Sequence, residues 1–161
     1  MASVKDLPVA GWREWVQFPE LNVSSIKAKL DTGARTSALH ASDIRVVERE
    51  GIAIVTFNFH PSHKRPELIQ PAQAPMIAQR WVRSSSGHVE LRPVIRTLIQ
   101  LGEHRWPIEL TLTGRHDMGF RLLLGRQALR GHYVVDPGRS YLRGHQVRIR
   151  RAVRSQRAAQ A

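Results

Sequence analysis

The chain has 161 residues, enough for one domain with a single substantial core and some appendages. It contains no cysteine, which excludes a disulfide framework, a thiolate zinc site and a cysteine nucleophile. Against 13 Asp and Glu stand 25 Lys and Arg, a formal net charge of +12 that favours anionic partners such as nucleic acid, acidic peptide tails or a ribosomal surface.

In chain order, Met1 to Pro8 lacks the continuous apolar core of a signal peptide, and no later apolar run approaches a membrane span, so a soluble cytoplasmic protein is expected. Val9 to Phe18 alternates as a strand, with Trp12, Val16 and Phe18 expected on one side, and Pro19 ends it. Leu21 to Ser25 reads as a turn. Ile26, Ala28 and Leu30 then alternate with Lys27 and Lys29 in a short half-buried strand that delivers Asp31 at its end. Leu39 to Val47 and Ile52 to Phe59 are strands joined by a hairpin turn at Gly51.

From His60 to about Ala78 the periodicity is lost, and Pro61, Pro66, Pro71 and Pro75 predict a long irregular connection of the kind that covers a site. Trp81 to Arg83 and Val89 to Arg92 flank a small hairpin tip at Ser84 to Gly87. Val94 to Leu101 and Arg105 to Leu112 form the next pair across Gly102 to His104. Met118 to Gly125 reads as a strand entering a short helix, Arg126 to Arg130, that Gly131 caps. Tyr133 to Val135 is a last strand before the Asp136-Pro137-Gly138 turn. Beyond Asp136 no acidic residue occurs, whereas Arg139, Arg143, Arg148, Arg150, Arg151, Arg154 and Arg157 do. The expected organisation is an extension at 1–8, a domain at 9–142 and a basic, flexible tail at 143–161. Many short strands, turns at regular intervals and one short C-terminal helix predict an all-β fold, a small barrel or sandwich.

The stretch most suggestive of chemistry is Asp31-Thr32-Gly33-Ala34, a carboxylate at a strand end on a tight turn whose glycine lets other groups approach closely. A second Asp-x-Gly at Asp117-Met118-Gly119 lacks both the hydroxyl neighbour and a preceding apolar strand, and reads as a turn aspartate. Ala28 through Leu39, with Leu123-Leu124-Gly125-Arg126 downstream, resembles the retropepsin pattern of one Asp-Thr-Gly-Ala per chain. Gly11-Trp12-Arg13-Glu14, Arg35 through Ala41, and Asp117-Met118 through Leu129 more closely resemble the bacterial family catalogued as ATP-dependent zinc proteases, over roughly residues 9 to 142. That family is retropepsin-like, and some members are associated with ATP-grasp ligases that add glutamates to protein tails. Two parts of its label have no counterpart in the chain. There is no G-x-x-x-x-G-K-[ST] phosphate loop and no H-E-x-x-H. His60 and His63, with His88, His104 and His116 elsewhere, read as surface residues, so no metal or other cofactor is expected.

The resemblance implies a closed, retropepsin-like β-barrel and an aspartic peptidase that works as a homodimer, with Asp31 of each subunit meeting at a two-fold axis. It implies that Thr32 holds the paired loops rigid, that Gly33 lets the carboxyls approach, and that Ala34, Leu123, Leu124, Gly125 and Arg126 support the active-site turn. The segment from His60 to Leu91 falls where retropepsins carry a flap. Arg35, Arg126 and basic residues of the 60–92 segment would read an acidic or glutamate-rich substrate. Two other readings remain open on the residues alone: a noncatalytic module holding nucleic acid or ribosome on its basic face, and a metal-dependent hydrolase using the histidines. The aromatic residues are few and are not expected to cluster on one alternating face as stacking platforms would, which disfavours sequence-specific RNA recognition.

Overall fold

The structure, a computed structural model, describes residues 3–62, 64–84, 86–114 and 119–145. Ten strands and one helical turn follow in order: β1 (Val9–Gly11), β2 (Arg13–Phe18), β3 (Val23–Leu30), β4 (Ala38–Arg49), β5 (Ile52–Phe59), β6 (Gln70–Arg83), β7 (Val89–Leu101), β8 (His104–Thr113), β9 (Leu122–Leu124), α1 (Arg126–Leu129) and β10 (Val134–Asp136). The fold is all-β, with one short helix near the C-terminal end. His63, His116, Asp117, Met118 and the tail arginines from Arg148 onward lie outside the described residues.

The pairings close a ring. β2 pairs with β3, β3 with β9, β9 with β4, β4 with β8 and β8 with β7, and a single bridge from Gln17 to Gln100 returns β7 to β2. β5 and β6 form a second path between β4 and β7. Alternate residues of the ring strands point inward. Val16, Phe18, Ile26, Ala28, Leu30, Leu39, Ile99, Leu101, Ile108, Leu110, Leu112, Leu122 and Leu124 are all buried in one hydrophobic core. Closing the sheet on itself gives a domain of this size one interior and pairs most strand edges.

Three expectations from the sequence are corrected. The connection after His60 is shorter than the prolines suggest, because β6 begins at Gln70 and runs through both Pro71 and Pro75. These prolines stand opposite Asn58 and Ile54 of β5, four residues apart and so on one edge of the strand, in the half of β6 that β7 does not reach. A missing N–H is tolerated on such an open edge. The second correction concerns the inward face of β2. Trp12 is only half-buried and precedes the strand, and the place inside is taken by Glu14, which is fully buried. The turn after Pro19 is also brief, a single 3-10 turn over Pro19–Leu21, with β3 starting at Val23. The β4–β5 hairpin turns as expected at Gly51, with Glu50 and Gly51 both at positive φ as a tight two-residue turn requires.

Glu14 carries no ion pair among the described residues. Its Oε2 accepts the backbone N–H groups of Gly11 and Leu142, each at 2.8 Å, and its Oε1 accepts those of Arg143 at 2.8 Å and Gly144 at 2.9 Å. Backbone donors converging in this way satisfy a buried carboxylate as well as a counter-ion would. The chain is thereby fastened to the barrel as far as Gly144, whose Cα lies so close to the Trp15 carbonyl that a Cβ would overlap it. Among the described residues no helix is long and apolar enough to cross a membrane. Glu14→Ala leaves four backbone donors without their acceptor, those of Gly11 and Gly144 buried, and should lower stability by about 3 kcal/mol, read as a reduced urea midpoint, with Glu14→Gln intermediate.

Candidate functional site

The turn carrying Asp31 is built almost wholly from main-chain hydrogen bonds. β9 lies parallel to β3, with Leu30 opposite Leu124, and antiparallel to β4, with Leu39 opposite Leu122. It therefore separates the two strands that the turn must join. Asp31 N–H donates to the Leu124 carbonyl at 2.8 Å, and Ala34 N–H donates back to the Asp31 carbonyl at 3.1 Å. The first turn of α1 then grips the far side of the loop, with Arg126 N–H donating to Ala34 at 2.8 Å and Gln127 N–H to Arg35 at 3.1 Å.

Gly125 makes this grip possible. A Cβ at that position would collide with the Thr36 carbonyl and stand 2.9 Å from the Ala34 carbonyl oxygen. Its own N–H donates to Ser37 Oγ at 3.0 Å, and the Ser37 carbonyl accepts both the N–H and the hydroxyl of Thr111 at 3.0 Å each. Ser37 and Thr111 are buried and belong to the site's support, though sequence reasoning gave neither a role. The available signal was Thr111 between Leu110 and Leu112, a hydroxyl inside an apolar strand, which in a core must find a partner.

The Asp31 side chain is half-buried, and its Oδ1 accepts the Gly33 N–H at 3.0 Å. Thr32 and Gly33 are exposed at the tip of the turn. Of the residues expected beneath the loop, Leu124 and Gly125 are buried and Leu123 is half-buried, because the strand's alternation puts Leu122 and Leu124 in the core. Arg126 is exposed. Its Nη1 donates to the Thr32 carbonyl at 3.0 Å and braces the turn.

Arg35 reaches a cleft. A cavity of about 650 Å³ is lined by Arg35 and Thr36 from the loop, Arg80 from β6, Arg96 from β7, Glu109 from β8 and Gln127 from α1, among others. Arg80 Nη2 pairs with Glu109 Oε2 at 3.1 Å, leaving Arg35 and Arg96 as excess positive charge. On β7, burial disfavours the charge on Glu90, but hydrogen bonds from Thr113 and Arg92 overcome it and hold the carboxyl below its ordinary value. Glu90 is thus an anion spoken for by Arg92.

At the opposite end of α1, His132 Nδ1 and His104 Nε2 are 2.9 Å apart, and both rings stack against Trp106. Burial, and then the neighbouring His104, hold His132 below its ordinary value of 6.5. Among the described residues, no group of three or more His, Asp or Glu side chains is placed to hold a metal ion.

A ring of strands with a single Asp-Thr-Gly turn seated on a Gly125-containing strand end defines a retropepsin-like domain. Residues 9–146 match the model of the RimB-like family, described as "Retropepsin-like aspartic endopeptidase RimB", and the chain belongs to that family. It is similar to a protein of Shewanella halifaxensis named "Probable alpha-L-glutamate ligase", 46% identical over 138 residues, covering 86% of this chain and 30% of that protein. A protein of the same name from Desulfotalea psychrophila is 43% identical over 129 residues, covering 80% of this chain and 28% of that protein. The chain thus spans under a third of the length of these curated relatives. A crystal structure of a Legionella pneumophila protein of unknown function (DUF785) superposes with a TM-score of 0.70 at 28% identity, covering 84% of this chain and 97% of that one. None of these descriptions mentions zinc or ATP.

Two outcomes follow for the site's scaffold. Ser37→Ala leaves the buried Gly125 N–H without an acceptor and should cost about 1–3 kcal/mol by urea denaturation, with Gly125→Ala worse because backbone must move. Because His132 titrates lower in the folded chain than in the unfolded one, the unfolded chain binds more protons below pH 6.5. Stability should fall as the pH drops through 6.5 and level off once it passes the folded value. In a pH series of thermal melts, His132→Asn should flatten that dependence.

Proposed function

We propose that the chain is an aspartic endopeptidase active as a homodimer, with Asp31 of each subunit contributing one of two facing carboxyl groups. The observation that carries this reading is the presentation of Asp31: one carboxyl, half-buried, its Oδ1 accepting the Gly33 N–H, on a turn immobilised from beneath by Leu124, Gly125 and Arg126. A rigid turn matters because two like charges brought together cannot both ionise, so the pair retains one proton. The ionised partner then takes a proton from a water held between them as that water attacks the peptide carbonyl. The protonated partner donates to the carbonyl oxygen. Thr32 and Gly33, exposed beside Asp31, would meet the other subunit's turn.

An acidic, glutamate-rich protein tail is the substrate class this reading favours. Arg35 lies four residues beyond Asp31 and faces a cavity that also holds Arg80 and Arg96, where guanidinium groups can pair carboxylates bidentately. The relatives named "Probable alpha-L-glutamate ligase" support the same class, since that name also concerns glutamate.

The test pairs oligomeric state with activity. Light scattering on size-exclusion chromatography should give a dimer under the conditions where an oligoglutamate-tailed peptide is cleaved, and Asp31→Asn should abolish turnover, by at least about 1000-fold, without changing the melting temperature. Arg35→Ala should raise KM for the tailed peptide and leave a neutral peptide unaffected. A strictly monomeric active protein, or full activity in Asp31→Asn, would refute the mechanism.

A further inference from the structure

The outward face of β2 and β3 carries a feature with no counterpart in the peptidase site. Arg13 and Trp15 of β2 and Lys27 of β3 point away from the core, by the same alternation that buries Glu14, Val16, Ile26 and Ala28. Trp12 and Tyr141 flank them, and Phe120 arrives from the segment leading into β9. These six residues form a closed circuit. Trp12 meets Phe120 edge-on at 5.9 Å, Phe120 lies 5.7 Å from Lys27 Nζ, and Lys27 Nζ lies 5.9 Å from Trp15. Trp15 stacks on Tyr141 at 6.1 Å, and the Arg13 guanidinium carbon stands 5.1 Å from Tyr141 and 4.8 Å from Trp12.

Cation–π contacts of this kind occur about once per 70–80 residues, so four within six residues mark a concentration that general packing does not account for. The rings are half-exposed and outside the hydrophobic core. Neither Arg13 nor Lys27 is in an ion pair with a carboxylate among the described residues, and Lys29 stands opposite Arg13 on the same face. The backbone at Tyr141 is left-handed, φ 55°, an uncommon conformation for a large side chain, and in it the ring lies on Trp15 while the Tyr141 N–H bonds the Arg13 carbonyl at 3.0 Å.

We infer that this face is a binding surface for single-stranded nucleic acid. Such ligands are held by aromatic rings on which bases stack, interleaved with cations that follow the phosphates, and every base offers a stackable face whatever the sequence. A guanidinium plane also stacks on bases. An acidic peptide would use the cations alone and would gain nothing from four aromatic rings. The inference does not depend on the peptidase reading, because it uses neither Asp31 nor the arginine cavity.

The test uses the full chain and a fluorescein-labelled 12-nucleotide oligouridine, read by anisotropy at two salt concentrations and by intrinsic tryptophan fluorescence. Saturable binding that weakens with salt and quenches tryptophan is expected. Trp15→Ala should weaken it about tenfold, Trp15→Phe by no more than about twofold, and Lys27→Glu by about tenfold with a shallower salt dependence. Melting temperatures report whether each variant folds, and if Trp15→Ala does not, Lys27→Glu on its half-exposed side chain decides the matter. Absence of binding overturns the proposal. So does binding that Trp15→Ala and Lys27→Glu leave unchanged, which would place it on basic residues elsewhere. An oligoglutamate of equal charge that binds as tightly and competes overturns it as well, and would make the face a peptide surface.

Discussion

The contact on which the candidate site depends is the approach of the Gly125 backbone to the loop between β3 and β4. At that point two segments far apart in sequence come within hydrogen-bonding distance: the loop that carries the Asp31 turn and Ser37 at the entry to β4, and the end of β9 where α1 begins. The bonds are between main-chain groups and one buried hydroxyl, so the turn's shape owes little to side-chain charge. Only a residue without Cβ permits the distance, because the Thr36 and Ala34 carbonyls already occupy the space. The geometry of Asp31 is therefore an outcome of backbone packing, and its carboxyl accepts the N–H of Gly33 within its own turn.

β2 does two jobs through its alternation. Its inward face presents Glu14, which collects the backbone of Gly11 and of residues Leu142 to Gly144. Its outward face presents Arg13 and Trp15, against which Tyr141 lies. The two are linked, since the chain that Glu14 fastens is the chain that delivers Tyr141. A buried carboxylate satisfied by backbone donors thus positions an aromatic ring on the opposite side of the strand.

The positive charge of the protein is likewise not spread evenly. Arg35, Arg80 and Arg96 converge on the cavity beside the Asp31 turn, where Glu109 neutralises one of them. Arg13, Lys27 and Lys29 lie on the β2–β3 face among aromatic rings. Carboxylate-bearing chains suit the first arrangement, which offers guanidinium groups in a concave setting. Bases and phosphates suit the second.

Much of this was legible in the sequence, and the reasons are local. Alternation in 26–30, 52–59 and 94–101, the Gly51 turn, the short helix at Arg126 and the Asp31-Thr32-Gly33-Ala34 turn are each written in neighbouring residues, because side-chain period and turn chemistry act over a few positions. What the sequence could not announce is every feature made of distant pairings. Pro71 and Pro75 look like breakers until β5 is known to bond only one edge of β6. Glu14 looks like a surface residue until the donors of Leu142, Arg143 and Gly144 arrive. Trp12, Trp15, Phe120 and Tyr141 look scattered until the ring of strands gathers them. The sequence by itself determined the all-β class, the order of most strands and the position of the Asp31-Thr32-Gly33-Ala34 turn. Tertiary structure alone decided which polar groups are buried and which cations share a surface, because burial and convergence depend on what the rest of the chain places opposite a residue, and no local pattern encodes that.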